Sequence, residues 1–205
     1  MEGTMDDKAD AVSAHEYKTW QESAASYIEN VAPMTARSGQ ISILQEIGNI
    51  QKSSAILELG CGTGDLAEQL AEIGGRTVGI DFSENMIQIA SERFPLIAFK
   101  VADAESVPFH DNEFDVVVCN YTAHHFARPQ KVFEEARRTL KPGGRVVIVM
   151  PIQSQQESFG AIVQSVVEEL SPAEVPGGPL LFVDDPDEVA SVLTAAGFTE
   201  VMAEK

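Results

Sequence analysis

A chain of 205 residues, 44% hydrophobic and 22% charged, is long enough for one domain with a sizeable core. Its net charge of −18 repels phosphate backbones and argues against nucleic acid as a partner, while solubility alone accounts for such acidity. No apolar run approaches the ~20 residues of a membrane span, residues 1–10 carry no basic and apolar targeting pattern, and Cys61 and Cys119 are too few for a disulfide framework. A cytoplasmic chain with reduced thiols is expected.

In chain order, residues 1–14 read as a mobile segment. From 15 to 30, Tyr17, Trp20, Ala24, Tyr27 and Ile28 recur at roughly helical spacing, and Pro33 stops that helix. A second helix over 41–47 ends near Gly48-Asn49. Residues 15–50 thus form a helical cap. Strands are then predicted at 55–59, 77–80, 97–101, 114–120 and 145–150, and helices at 66–72, 85–94 and 130–140. Gly74-Gly75, Pro95 and Pro142-Gly143-Gly144 punctuate them. This alternation implies an α/β fold, a doubly wound parallel sheet with helices on both faces. Ligand should bind at the carboxyl ends of the strands near the switch point. A helix over 155–170, a Pro/Gly-rich loop over 171–179, a helix over 187–196 and a last strand over 198–203 complete a single domain, residues 15–205. No internal repeat is present.

The stretch Ile56-Leu57-Glu58-Leu59-Gly60-Cys61-Gly62-Thr63-Gly64-Asp65 carries the most information. An apolar run ends in glycine at every second position, the pattern of a buried strand, a tight turn and a helix start. Glycine serves where the backbone turns with φ > 0 or meets a ligand closely. Asp81 ends the next strand, where an acid accepts hydrogen bonds from the hydroxyls of a ribose. The pattern describes a pocket for an adenosine-containing ligand. A dinucleotide fits poorly: the third glycine of G-x-G-x-x-G is replaced by Asp65, and a carboxylate there repels a pyrophosphate but tolerates a ligand bearing a sulfonium and an ammonium.

The Glu58-Leu59-Gly60-Cys61-Gly62-Thr63-Gly64 string resembles the first motif of the class I S-adenosylmethionine (SAM) dependent methyltransferases, and further motifs follow in that family's order. Asp81-Phe82-Ser83-Glu84-Asn85-Met86 is similar to its second motif, and Asp103-Ala104-Glu105 with Val107-Pro108-Phe109 to its third. Phe114-Asp115-Val116-Val117 resembles its fourth strand. Arg138-Thr139-Leu140-Lys141-Pro142-Gly143-Gly144 resembles the turn before its fifth strand, and Ala196-Gly197-Phe198 the entry to its sixth. The whole resembles the ubiquinone/menaquinone-biosynthesis type of small-molecule methyltransferase, with a Rossmann-like sheet.

That resemblance implies SAM as cofactor. Glu58 would face the ammonium, and Gly60, Cys61, Gly62 and Gly64 the donor's body. Asp81 would take the ribose, Met86 the adenine, and Asp103 and Ala104 the adenine's polar edge, with Phe82 also against the donor. Asn120 would stand near the reacting methyl. Each has a plainer reading as well. Glu58 can cap strand-end amides, Met86 extends a buried stripe with Ile87 and Ala90, Asp103 can cap a turn, and both cysteines can be small core residues. Methyl transfer needs no metal or nucleophile, only alignment and exclusion of water.

Asn120-Tyr121-Thr122-Ala123 departs from the N-P-P-Y and D-P-P-Y signatures of amino-methylating enzymes on nucleobases and glutamine. His124 or His125 beside it could deprotonate a phenol, enol or imidazole acceptor, or simply pack and face solvent. Tyr17, Trp20 and Tyr121 are the substrate-side candidates, with the first helix as a lid. Residues 155–182 are the variable acceptor-side insertion. The family's seventh strand has no counterpart before Lys205, so its edge is expected to pair in a homodimer or to leave the C-terminal segment marginally stable. The expected activity is methyl transfer to a small organic acceptor, without nucleic-acid or membrane partners. A non-enzymatic SAM-binding scaffold and a nicotinamide-dependent oxidoreductase are the competing readings.

Overall fold

The computed structural model describes residues 5–38, 41–150 and 186–202. The sheet is built from short apolar runs. β1 (Ala55–Leu59), β2 (Arg76–Asp81), β3 (Ala98–Val101), β4 (Phe114–Asn120) and β5 (Leu140–Val149) lie in the order β3-β2-β1-β4-β5, and every pair is parallel. β1 is buried at all five positions, as a central parallel strand covered on both faces must be. The order reverses between β1 and β4, so their carboxyl ends open the crevice in which such sheets bind ligands.

Helices cover both faces. Side chains alternate along each strand, so Leu57, Leu59, Val117 and Cys119 share a core with Val132, Phe133 and Ala136 of α6 (Pro129–Thr139) and Leu193 of α7 (Pro186–Ala195). Ile56, Val116, Val118 and Val147 pack on the other face with Leu44 of α3 (Ile41–Ile47) and Leu66 and Leu70 of α4 (Asp65–Ile73). Each such fully buried aliphatic side chain stabilises the fold by roughly 1.5–3 kcal/mol. Between β2 and β3, α5 (Glu84–Arg93) starts with a Ser83 cap whose Oγ accepts the Met86 N–H at 3.3 Å.

Two expectations are corrected. Residues 5–14 belong to α1 (Met5–Asn30), which runs unbroken for 26 residues instead of starting at 15. Arg128 pairs with Asp6 and Asp10, and Ala9 and Val12 pack on Ala127, so distant residues hold the first turns in place. Pro33 follows the end of α1 at Asn30, as expected. It sits in the first turn of α2 (Ala32–Ser38), where a missing N–H costs nothing. The strand expected over 198–203 is absent from its described residues, 198–202. Phe198 instead donates its N–H to Leu193 O at 3.0 Å, and Phe198 and Val201 pack on the core. Among the described residues β5 stands at the edge of the sheet, on the side where a homodimer was expected. The regions 155–170 and 171–179, and the insertion 155–182, lie outside the described residues.

Arg138 explains one motif. It binds Glu135, Asp111 and the carbonyls of Phe109 and Val107, at 2.7–3.2 Å, and so ties the loop after β3 to α6. Among the described residues no helix is long and apolar enough to cross a membrane.

Candidate functional site

The site is built where β1, β2 and β4 end. Gly60, Gly62 and Gly64 have φ of 65°, 50° and 83°, in the left-handed region that side chains disfavour. Close approach adds to this at two of them. A Cβ on Gly60 would lie 2.4 Å from Thr122 Oγ1, and one on Gly64 2.8 Å from the Phe99 ring. Gly64 therefore lets α4 meet α5 and β3 closely, the packing task of the third glycine in a dinucleotide fingerprint. Cys61 is buried, donating its N–H to Ile80 O at 2.9 Å with its sulfur beneath Gly79. Burial pushes the thiols of Cys61 and Cys119 well up, so neither is a thiolate nucleophile.

Two carboxylates flank this turn. Asp81, 8% exposed, accepts the Gly62 N–H through Oδ2 and the Ser83 N–H through Oδ1, both at 2.9 Å. Burial pushes its carboxyl up to about 6 despite those bonds and the nearby His125. Glu58, 3% exposed, has a buried Oε2 with no hydrogen-bond partner among the described residues. Burial, with the negative charges of Asp81 and Asp65 added, holds its carboxyl well above the usual range. The arrangement favours a positively charged guest.

Asp65 does not contribute the free charge expected of it. Arg93 of α5 grips it through two bonds of 2.6 Å. The chain's mismatch with a dinucleotide fingerprint is thus one of glycine placement, not of an unpaired carboxylate.

The remaining expected cofactor contacts divide. Phe82 is half-buried at the start of the loop into α5, edge-on to Tyr17 at 5.8 Å. Met86 is 2% exposed inside α5, in the buried stripe with Ile87 and Ala90. Ala104 packs against the core. Asp103 is exposed, and its Oδ1 accepts the Glu105 N–H at 2.8 Å, which makes it a turn cap.

β4 ends in Asn120, whose Nδ2 donates to Thr35 O at 3.3 Å and whose buried Oδ1 has no partner among the described residues. Tyr121 follows with φ 52°, its N–H bonded to Val149 O. Then comes a 3₁₀ turn, Ala123–His125. The His124 and His125 rings lie 4.0 Å apart. Burial, with His125 beside it, pushes His124 well below its ordinary value, so that ring is neutral.

α1 lies across this end of the sheet. Gln21 Oε1 accepts from Ser83 Oγ at 2.6 Å and from Asn85 N–H at 3.0 Å, while Gln21 O accepts from Asn85 Nδ2 at 2.7 Å. Trp20 is edge-on to Tyr27 at 5.7 Å and to His125 at 5.0 Å. Tyr27 bonds Thr35 Oγ1 at 3.2 Å and packs over Gly62, and burial pushes its phenol to about 12. Glu16, Gln21, Thr35, Ser83, Arg93 and Thr122 were not among the expected site residues. Only the Ser83 cap had a sequence signal, a serine ahead of a helical pattern.

The geometry can be set beside known proteins. Residues 57–148 match a family described as a methyltransferase domain. The chain is 36% identical over 106 residues to a demethylmenaquinone methyltransferase of Paenarthrobacter aurescens, covering 52% of this chain and 42% of that protein. It is 32% identical over 161 residues to the enzyme of that name from Clavibacter sepedonicus, covering 71% and 66%. The chain spans about half the length of the curated relatives it matches. Among solved structures, a SAM-dependent methyltransferase of Thermotoga maritima shares the fold with a TM-score of 0.65 at 24% identity, covering 90% of this chain and 82% of that one.

Proposed function

The chain belongs to the class I SAM-dependent methyltransferase superfamily, and we propose that it moves a methyl group from SAM to a small organic acceptor by direct displacement. The observation that carries this reading is Glu58. Its buried, unpartnered Oε2 stands beside a turn of three left-handed glycines, with the buried Asp81 opposite. A buried polar atom without a partner is costly. A cationic adenosine ligand relieves it, with Glu58 toward the ammonium and Asp81 toward the ribose hydroxyls.

In this proposal Gly60, Cys61, Gly62 and Gly64 bound the donor. Phe82, Met86 and Ala104 flank its adenine, and Asp103 orders the turn that presents Ala104. Bound SAM supplies a methyl carbon made electrophilic by its sulfonium. The chain's own residues align the acceptor and exclude water. Asn120, Tyr121 and the two histidines form the acceptor side at the end of β4. Tyr17 and Trp20 on α1 form its aromatic wall. His124 is neutral and buried, so His125 is the stronger candidate for a proton acceptor.

Calorimetric titration with SAM, S-adenosylhomocysteine and NADH tests this. Micromolar binding of both sulfur ligands, weakened in Glu58→Gln, with none for NADH, is the expected result. Failure of both sulfur ligands to bind overturns it. Demethylmenaquinone, named for the bacterial relatives, in its reduced dihydroxy form is the first acceptor to try.

A further inference from the structure

The aromatic cover contains a pair of groups that the proposed transfer does not by itself require. His125 Nδ1 lies 2.9 Å from Glu16 Oε2, and Trp20 Nε1–H donates to that same oxygen at 2.9 Å. Glu16 is on α1 and His125 on the turn after β4, so only the docking of α1 brings them together. Both are largely shielded, with side-chain exposures of 13% and 25%. Trp20 stands edge-on to the imidazole and the His124 ring lies tilted against it, so the ring is held on two sides.

Resting on the reading of His125 as a proton acceptor, we propose that Glu16 is its positioning residue, keeping the imidazole proton on Nδ1 so that the Nε2 lone pair can take a proton from a phenolic or enolic hydroxyl of the acceptor. A carboxylate accepts and cannot donate, so it selects the Nδ1–H tautomer. Burial works to raise the Glu16 carboxyl. The positive charge that His125 carries once it has taken a proton, with the hydrogen bonds from His125 and Trp20, outweighs it and holds Glu16 below the usual range.

Glu16 therefore remains ionised and able to balance the imidazolium that forms. His15, His124 and Asp81 also act electrostatically on the pair.

The chemistry favours a hydroxyl acceptor. A neutral amine already carries a free lone pair, whereas a hydroxyl is a poor nucleophile until its proton leaves. His125 Nε2 takes that proton. The oxygen's electron pair forms the new O–C bond, and the S–C bond of SAM breaks with its electrons remaining on sulfur as a thioether. The proton then leaves His125 for solvent.

Nitrogen-15 NMR of the full chain, with labelled histidine, reads the tautomer without any turnover. The wild type is expected to carry the His125 proton on Nδ1. Glu16→Gln, which keeps an acceptor oxygen, is expected to preserve it, and Glu16→Ala to move it to Nε2. An Nε2–H wild type, or an unchanged tautomer in Glu16→Ala, overturns the positioning role.

Transfer of labelled methyl from SAM to a panel of simple phenols and primary amines supplies the second arm. Phenols are expected to be labelled, with kcat falling about tenfold or more in Glu16→Ala and the KM for SAM within about twofold. Labelling of amines alone overturns the acceptor class. Undiminished transfer by His125→Ala removes the underlying base, whereas undiminished transfer by Glu16→Ala alone removes only the role of Glu16.

Discussion

Asp81 accepts the Gly62 N–H at 2.9 Å, so the acid that ends β2 also holds the backbone of the turn that ends β1. A second oxygen holds Ser83 N–H. A carboxylate offers about four lone-pair sites, so capacity remains for hydroxyl donors. Asp81→Ala is expected to weaken S-adenosylhomocysteine binding by about 1.5–3 kcal/mol, the scale of hydrogen bonds to a charged group. Calorimetry on the variant, with circular dichroism to verify its fold, measures this. Unchanged affinity in a folded variant removes Asp81 from the ribose.

The same residue predicts a pH dependence. Burial raises Asp81 to about 6 and Glu58 well above its usual value. A raised folded-state value stabilises below the unfolded one, near 3.8, and that contribution is lost as pH rises through about 6. For Asp81 it amounts to roughly 3 kcal/mol. Urea titrations at pH 5 and 7.5 should therefore show wild type losing stability relative to Asp81→Asn as pH rises. A cationic ligand binds the ionised acids, so SAM affinity should increase over the same interval with release of protons. Calorimetry in buffers of different ionisation enthalpy reads that release. Affinity that falls with rising pH would contradict the assignment.

Gly60 combines two constraints, a φ of 65° and a Cβ position 2.4 Å from Thr122 Oγ1. Gly60→Ala is expected to destabilise the protein by about 2–4 kcal/mol, from left-handed strain and overpacking together. Adding Thr122→Ala should recover only the overpacking share. Urea midpoints of the single and double variants separate the two contributions, and full recovery would refute the strain argument.

Gln21 fastens α1 to the start of α5 through Ser83 and Asn85. Gln21→Ala should weaken that attachment by about 1–2 kcal/mol while leaving the sheet ladders intact. Hydrogen exchange is expected to accelerate in α1 and not in β1 or β4. Trp20, the chain's one tryptophan, should shift its emission to the red as it meets water. Equal acceleration in the strands would show that α1 unfolds only with the whole domain.

The bounds of β1 and β4 were legible because a parallel strand covered on both faces is a nearly continuous apolar run, broken here by Glu58 and Asp115, and glycine or polar residues end each one. β5 was legible only from Arg145 onward. Its earlier residues include Pro142-Gly143-Gly144, which read as a turn although the pairing register begins at Leu140. The start of α1 was hidden for another reason. Asp6, Asp7 and Lys8 are exposed, and the groups that hold this end, Arg128 and Ala127, lie far along the chain.

The sequence by itself determined the doubly wound sheet, the glycine turn and the acid at the end of β2, because apolar runs and positive φ angles are local demands on particular residues. Tertiary structure alone decided that Arg93 neutralises Asp65, that Asp103 caps a turn, that Gln21 fastens α1, and that Glu16 meets His125. Those pairings depend on how a long helix lies across the strand ends. Its weakly patterned surface does not state that placement, and it follows only from the packing of the whole domain.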